Sequence, residues 1–75
     1  MYYSRKKAGL LIRRLRTSLG ISQEILSGLA GIARSHLAMI ESGSKSANVE
    51  TLWRISLALG IRLSEFIRIL EEEAD

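Results

Sequence analysis

Apolar residues recur along this chain at helical spacing, and no segment alternates apolar with polar positions for long enough to make a strand. The first block carries Ala8, Ile12, Leu15 and Leu19 on one stripe, with Arg13, Arg14 and Arg16 around it. It stops at Gly20 and predicts a helix over about 6–19. Ser22 then offers a capping hydroxyl, with Ile21 and Leu26 at hydrophobic-staple spacing, for a helix over about 22–30. Gly31 ends that helix where a left-handed residue costs least. A third helix, about 33–41, buries Leu37 and Ile40 and closes near Gly43. After a polar loop over 42–48, Asn48 caps a fourth helix over about 49–59, whose inner stripe is Val49, Leu52, Ile55, Ser56 and Leu59. The last helix, about 63–73, turns Leu63, Phe66, Ile67 and Leu70 toward the core or a partner. Five short helices joined by tight turns predict an all-α fold, one domain over residues 1–75.

The core of so short a chain is small, and oligomerisation is a natural supplement to its stability. There is no cysteine, so neither a disulfide nor a thiolate metal site can supplement it. With a single histidine as well, no metal and no cofactor are expected. Clustered carboxylates on a folded face and a glycine-rich phosphate loop are both missing, so the expectation is that the protein is not an enzyme. Met1 to Arg5 lack the apolar run of a signal peptide, and no stretch is long enough to cross a bilayer. A soluble, cytoplasmic protein with no membrane partner is therefore expected.

Charge changes the picture more. The net charge is +3, yet Glu71 to Asp75 hold four of the eight acidic groups. The first 45 residues carry eight basic groups against Glu24 and Glu41. A basic body with a short acidic end suits a polyanion such as nucleic acid, although the same charges would serve equally well as solvated helix faces.

The stretch Gln23 to Ser42, QEILSGLAGIARSHLAMIES, has the makings of a helix-turn-helix. Gly31 supplies the turn. Leu26, Ala30, Ile32, Leu37 and Ile40 supply the apolar contacts, and Ser27 and Ala30 are small where the helices approach. With Leu37, Ile40 and Glu41 inward, 100° steps put Ser35, Met39 and Ser42 on the opposite side. Arg34 opens the helix and Ala38 flanks its outer face. In a major groove, Arg34 suits a bidentate contact to guanine, and Ser35 a base or a phosphate. Ala38 and Met39 offer apolar surface, for example to a thymine methyl. An ordinary phosphate contact is an equally good reading of Arg34. The face is poor in hydrogen-bonding groups, so DNA shape is expected to carry part of any specificity. Backbone candidates are Gln23 at the start of helix 2, Ser42, and Ser44, Lys45 and Ser46 in the following loop. Arg13 and the Arg5-Lys6-Lys7 cluster either extend that track or are solvated charge; Tyr2 and Tyr3 form an arm or fray.

The runs IRRLRTSLGISQE (Ile12–Glu24), LAGIARSHL (Leu29–Leu37), IESG (Ile40–Gly43) and VETLWRISLALGI (Val49–Ile61) keep glycine, glutamine and apolar positions in register. In these runs the chain resembles the Cro/repressor-type helix-turn-helix family, the XRE family, over about residues 8–67. The resemblance implies a lambda-repressor-like fold, with the helix-turn-helix formed by helices 2 and 3. The function it implies is that of a sequence-specific regulator of transcription on double-stranded DNA. It gives Gln23 a phosphate-anchoring role, places His36 beside the phosphate backbone, and pairs Arg16 with Glu41 as a structural ion pair. Two positions depart from the pattern: Ala33 and Arg62 stand where a hydroxyl residue usually caps a helix, and each missing cap costs about 1 kcal/mol. Small size and an acid-ended last helix resemble the restriction-modification controller proteins; a phage-type regulator or repressor is the other option.

Homodimerisation is expected through Leu57, Phe66, Ile67, Ile69 and Leu70, because the last helix carries more apolar residues than a small core absorbs. Two recognition helices about 34 Å apart would then read an inverted repeat. Trp53 is expected in or at the edge of the core. Ile25 and Leu29 face outward, which keeps open an antitoxin-like or adaptor module as the alternative, with RNA polymerase or a toxin-type protein as partner.

Overall fold

In the computed structural model, which describes residues 3–73, the chain forms five α-helices and, among those residues, no strand. They are α1 (Arg5–Ser18), α2 (Gln23–Ala30), α3 (Arg34–Ser42), α4 (Val49–Ala58) and α5 (Leu63–Glu73). Tyr2 and the acidic Asp75 lie outside the described residues.

Local chemistry sets most of these boundaries. The side chains of Ser4, Ser22 and Asn48 accept the backbone N–H groups of Lys7, Ile25 and Thr51, so α1, α2 and α4 each start on a capped turn. α3 starts at Ala33 with no side-chain cap. At the end of α2, Gly31 takes φ 72°, which an L side chain rarely adopts. Its N–H donates to the Gly28 carbonyl and that of Ile32 to the Ser27 carbonyl, the paired closure of a Schellman motif. The chain thereby reverses within Gly31-Ile32-Ala33 and launches α3 across α2.

α1 packs on α3, α2 on both α3 and α4, and α5 closes the bundle against α4 and α1. Ile12, Leu26, Leu37, Ile40, Ile55 and Phe66 are fully buried between them. The α1–α3 crossing depends on Gly9: a Cβ there would collide with the carbonyl oxygens of Ile40 and Glu41, the latter at 2.7 Å. Ser27 and Ala30, each 4% exposed, occupy the close approaches of α2.

Several expectations need correcting. Phe66 (0% exposed) and Leu70 (4%) belong to the chain's own core and offer no surface to a second copy. α5 folds back along α1, so the core runs on to Leu70 beside Leu11. The buried stripe of α1 includes Leu11, while Leu19, the residue after the helix, lies past the covering helices and is exposed. Val49 is exposed as well, because the first residue of α4 borders the polar loop instead of the core. Trp53 is 55% exposed, one residue round the helix from buried Leu52, and is not a core residue.

Candidate nucleic-acid interface

The site is built on a buried ion pair that ties three helices together. The Arg16 Nε–H donates to Glu41 Oε2 at 2.8 Å and its Nη2 to Glu41 Oε1 at 3.0 Å, a bidentate geometry. Arg16 Nη1 also donates to the Ile21 carbonyl at 2.9 Å, and Gln23 Nε2 donates to Glu41 Oε1 at 3.0 Å. With side chains 12% and 3% exposed, the pair is largely desolvated, and each charge depends on the other. The hydrogen bond to Glu41 is the main cause holding the Arg16 guanidinium above its ordinary pKa, burial opposing it. One cluster thus joins α1, the start of α2 and the end of α3. The Arg16–Glu41 pairing was expected; the Gln23 bond was not, and it fixes the position of a side chain expected to anchor phosphate.

Leu37 and Ile40 are buried and turn the opposite face of α3 outward. Arg34 and Ser35 are exposed at its first turn, Ala38 and Met39 are partly exposed along it, and Ser42 is exposed at its end. His36 is half-buried. Arg13, Arg16, Gln23, Ala38, Glu41 and Ser42 line one polar depression between α1, the start of α2 and α3. Three backbone candidates, Arg13, Gln23 and Ser42, are therefore brought together from three helices. Beyond α3, the Ser42 and Ser44 hydroxyls both turn back onto the Met39 carbonyl, at 3.0 and 3.2 Å. The backbone N–H groups of Ser44 and Lys45 donate to that same oxygen, which fixes the loop on the last turn of α3. Lys45 and Ser46 stay exposed.

The cations divide into two sets. Arg14 pairs with Glu73, Arg16 with Glu41, Arg54 with Glu50, and Arg68 with Glu65 and Glu72. Among the described residues, Arg5, Lys6, Arg13, Arg34, Lys45 and Arg62 form no ion pair. Most of the uncompensated positive charge thus lies on α1, α3 and the loop after α3, while on α4 and α5 Arg54 and Arg68 are paired and Arg62, between those helices, is not. Such a distribution attracts a polyanion to one side of the molecule.

Sequence reasoning missed Gly9, whose lack of a side chain seats α3 on α1. Its signal was a glycine inside an otherwise strong helical run, where alanine would be the better helix former.

Two of the exposed apolar residues, Trp53 and Leu57, share one groove with half-buried neighbours. Trp53, Leu57, Leu63 and Ile67, with Arg62 and Ser64, line a groove between α4 and α5. Leu57 and Ile67 were expected to face a partner; Trp53 and Leu63 join them. Ile69 is half-buried and packs against the core. No helix among the described residues is long and apolar enough to cross a membrane.

Comparison with known proteins agrees with this fold. A helix-turn-helix family model matches residues 12–66. An HTH-type transcriptional regulator of Sinorhizobium fredii is 31% identical over 91% of this chain and 88% of its own length. One from Methanothermobacter thermautotrophicus is 38% identical over 84% of this chain and 91% of its own. Among solved structures, the restriction-modification controller protein C.AhdI from Aeromonas hydrophila superposes with a TM-score of 0.81 at 34% identity, over 87% of this chain and 98% of that one. The controller protein C.Esp1396I, solved as a tetramer with its natural 35 base-pair operator, has the same fold with a TM-score of 0.86 at 23% identity, over 97% of this chain and 96% of its own.

Proposed function

This chain belongs to the XRE-type helix-turn-helix family of DNA-binding transcriptional regulators, and from that membership we propose that it reads an inverted-repeat operator as a homodimer, through α3. The observation that carries the reading is the outer face of α3, with Arg34 and Ser35 exposed at its first turn beside the Arg13–Gln23–Ser42 depression. Arg34 is the base-reading group, its fork matching the two acceptors of guanine in the major groove. Ser35, Ala38 and Met39 complete the contact surface with one hydroxyl and two apolar groups. Arg13, Gln23 and Ser42 hold the backbone on one side of α3, His36 and the Ser44–Ser46 loop on the others, and these contacts set register without reading sequence.

The second copy packs on the α4–α5 groove. Trp53 and Leu57 are 55% and 58% exposed there, and Leu63 and Ile67 continue the apolar surface. A two-fold axis through this groove makes the interface self-complementary and presents two α3 helices to one face of the duplex. C.AhdI, at 34% identity, is a controller protein of a restriction-modification system, and regulation of that kind is the role proposed here.

Selection of bound duplexes from a random pool at fixed salt tests the whole reading. A symmetric consensus is the expected outcome, and Arg34→Ala should relax preference at one position per half-site, at a cost of about 1–3 kcal/mol. Sedimentation should show a dimer that Leu57→Glu converts to a folded monomer with weakened operator binding. Recovery of no sequence above background, or undiminished operator affinity from a monomer, overturns the proposal.

A further inference from the structure

The interface described above leaves Lys6 unused. Gly43 closes α3 with φ 82°, and a Cβ on it would lie 3.0 Å from the Lys6 Cα and 3.2 Å from its Cβ. The first turn of α1 therefore rests against the last turn of α3, although the two are far apart in sequence. Lys45 follows two residues after Gly43, in a loop pinned by its own N–H and that of Ser44 to the Met39 carbonyl. Lys6 and Lys45 are both exposed, and neither forms an ion pair among the described residues. The fold thus holds two cations, contributed by different helical segments, at the opposite end of α3 from Arg34. By contrast, Arg54 and Arg68 on the rear helices are each matched by a glutamate one turn away.

We propose that Lys6 and Lys45 form a second backbone-contact flank, in which each lysine holds one phosphate of duplex DNA beyond the C-terminal end of α3. This rests on the DNA-binding reading above and extends it to a segment, the start of α1, outside the helix-turn-helix itself. With Arg34 engaged at one end of α3 and this flank at the other, the helix is fixed in tilt as well as depth. The contact is electrostatic and carries no sequence information.

Lys6→Gln, Lys45→Gln and the double variant test this, with Arg54→Gln as a control on a cation the fold already neutralises. Binding is measured across a range of salt, on a mixed-sequence duplex and on the selected operator. Each single variant should lower the slope of log K against log salt by about 0.9, and the double variant by about twice that. Sequence preference should stay unchanged, Lys6→Arg should keep the wild-type slope, and so should Arg54→Gln. Thermal melts identify any variant whose loss comes from unfolding. A wild-type slope in Lys6→Gln overturns the flank while leaving DNA binding through α3 intact. A wild-type chain that binds no duplex overturns both.

Discussion

Replacing Gly9 with alanine should destabilise the protein, whereas the same replacement at Gly28 should stabilise it. Helix propensity alone predicts a gain at both sites, since alanine is favoured over glycine in a helix interior by about 0.8–1 kcal/mol. The structure separates them. At Gly28 a new Cβ meets nothing within 4 Å, so the propensity gain of about 0.5–1 kcal/mol is realised. At Gly9 the new methyl would be driven into the carbonyl oxygens of Ile40 and Glu41, the latter 2.7 Å away, well inside ordinary van der Waals contact. Both obstacles are backbone, so neither can rotate aside, and α1 and α3 must separate. Overpacking of this kind costs roughly 1–3 kcal/mol, and any separation also carries Glu41 away from Arg16. Set against the propensity gain, the strained crossing leaves a net loss of up to about 2 kcal/mol at Gly9, to which any loosening of the Arg16–Glu41 pair adds. For a domain of this size each kcal/mol moves the melting temperature by about 4–8 °C. Melts followed by circular dichroism, at one fixed protein concentration because association shifts apparent stability, should move in opposite directions. A Gly9→Ala variant as stable as wild type would refute the close approach of α1 and α3. It would also remove one basis for the placement of α3.

Glu41→Ala should cost about 3–5 kcal/mol in urea unfolding, because it strands the buried Arg16 guanidinium and frees the Gln23 amide; a loss below 1 kcal/mol would show that the cluster does not organise the helices. Ser56→Ala should be neutral or stabilising by up to about 1 kcal/mol, since the Ser56 hydroxyl is fully buried with no hydrogen-bond partner. A clear destabilisation in thermal melts would count against that reading. Ala33→Ser should add about 1 kcal/mol by capping α3, read as a higher melting temperature; no change would mean that the first turn already has its N–H groups satisfied.

Where the deciding interactions are local, the sequence made the fold legible. Ser22 and Asn48 cap helices within three residues of themselves, and Gly31 reverses the chain by its own backbone conformation. These signals bear on α2, α3 and α4, while α1 and α5 were legible from the helical spacing of their apolar residues. The outward face of α3 was legible for the same reason: burial of Leu37 and Ile40 determines which side Ser35 and Ser42 take. Interactions between distant segments were not. Nothing in the pattern of α5 says that it lies back along α1, so Phe66 and Leu70 looked surplus to the core that in fact contains them. The Arg16–Glu41 pair was expected only through family resemblance, and the addition of Gln23 depends on where the start of α2 falls relative to the end of α3. Gly9 shows the same limit, since its reason for being glycine is a pair of carbonyls on another helix.

The two ends of α3 are held very differently, and the division matches the proposed chemistry. From Leu37 onward the helix is fastened by burial of Leu37 and Ile40, by the Glu41 ion pair, and by a Gly43 turn seated against Lys6. Its first turn has no side-chain cap at Ala33, and Arg34 and Ser35 project from it into solvent. The turn that would touch bases is therefore the one without a side-chain cap, while the rest of the helix is seated on α1. Adjustment to a base edge then needs only the uncapped turn and the Arg34 side chain to move, at little cost to the core. Substitutions of Arg16 or Glu41 act at the opposite end, so they change where the whole helix points without removing any group that would contact DNA. Loss of binding in an Arg16 or Glu41 variant is for that reason a measure of positioning, and only substitutions on the outer face report on recognition itself.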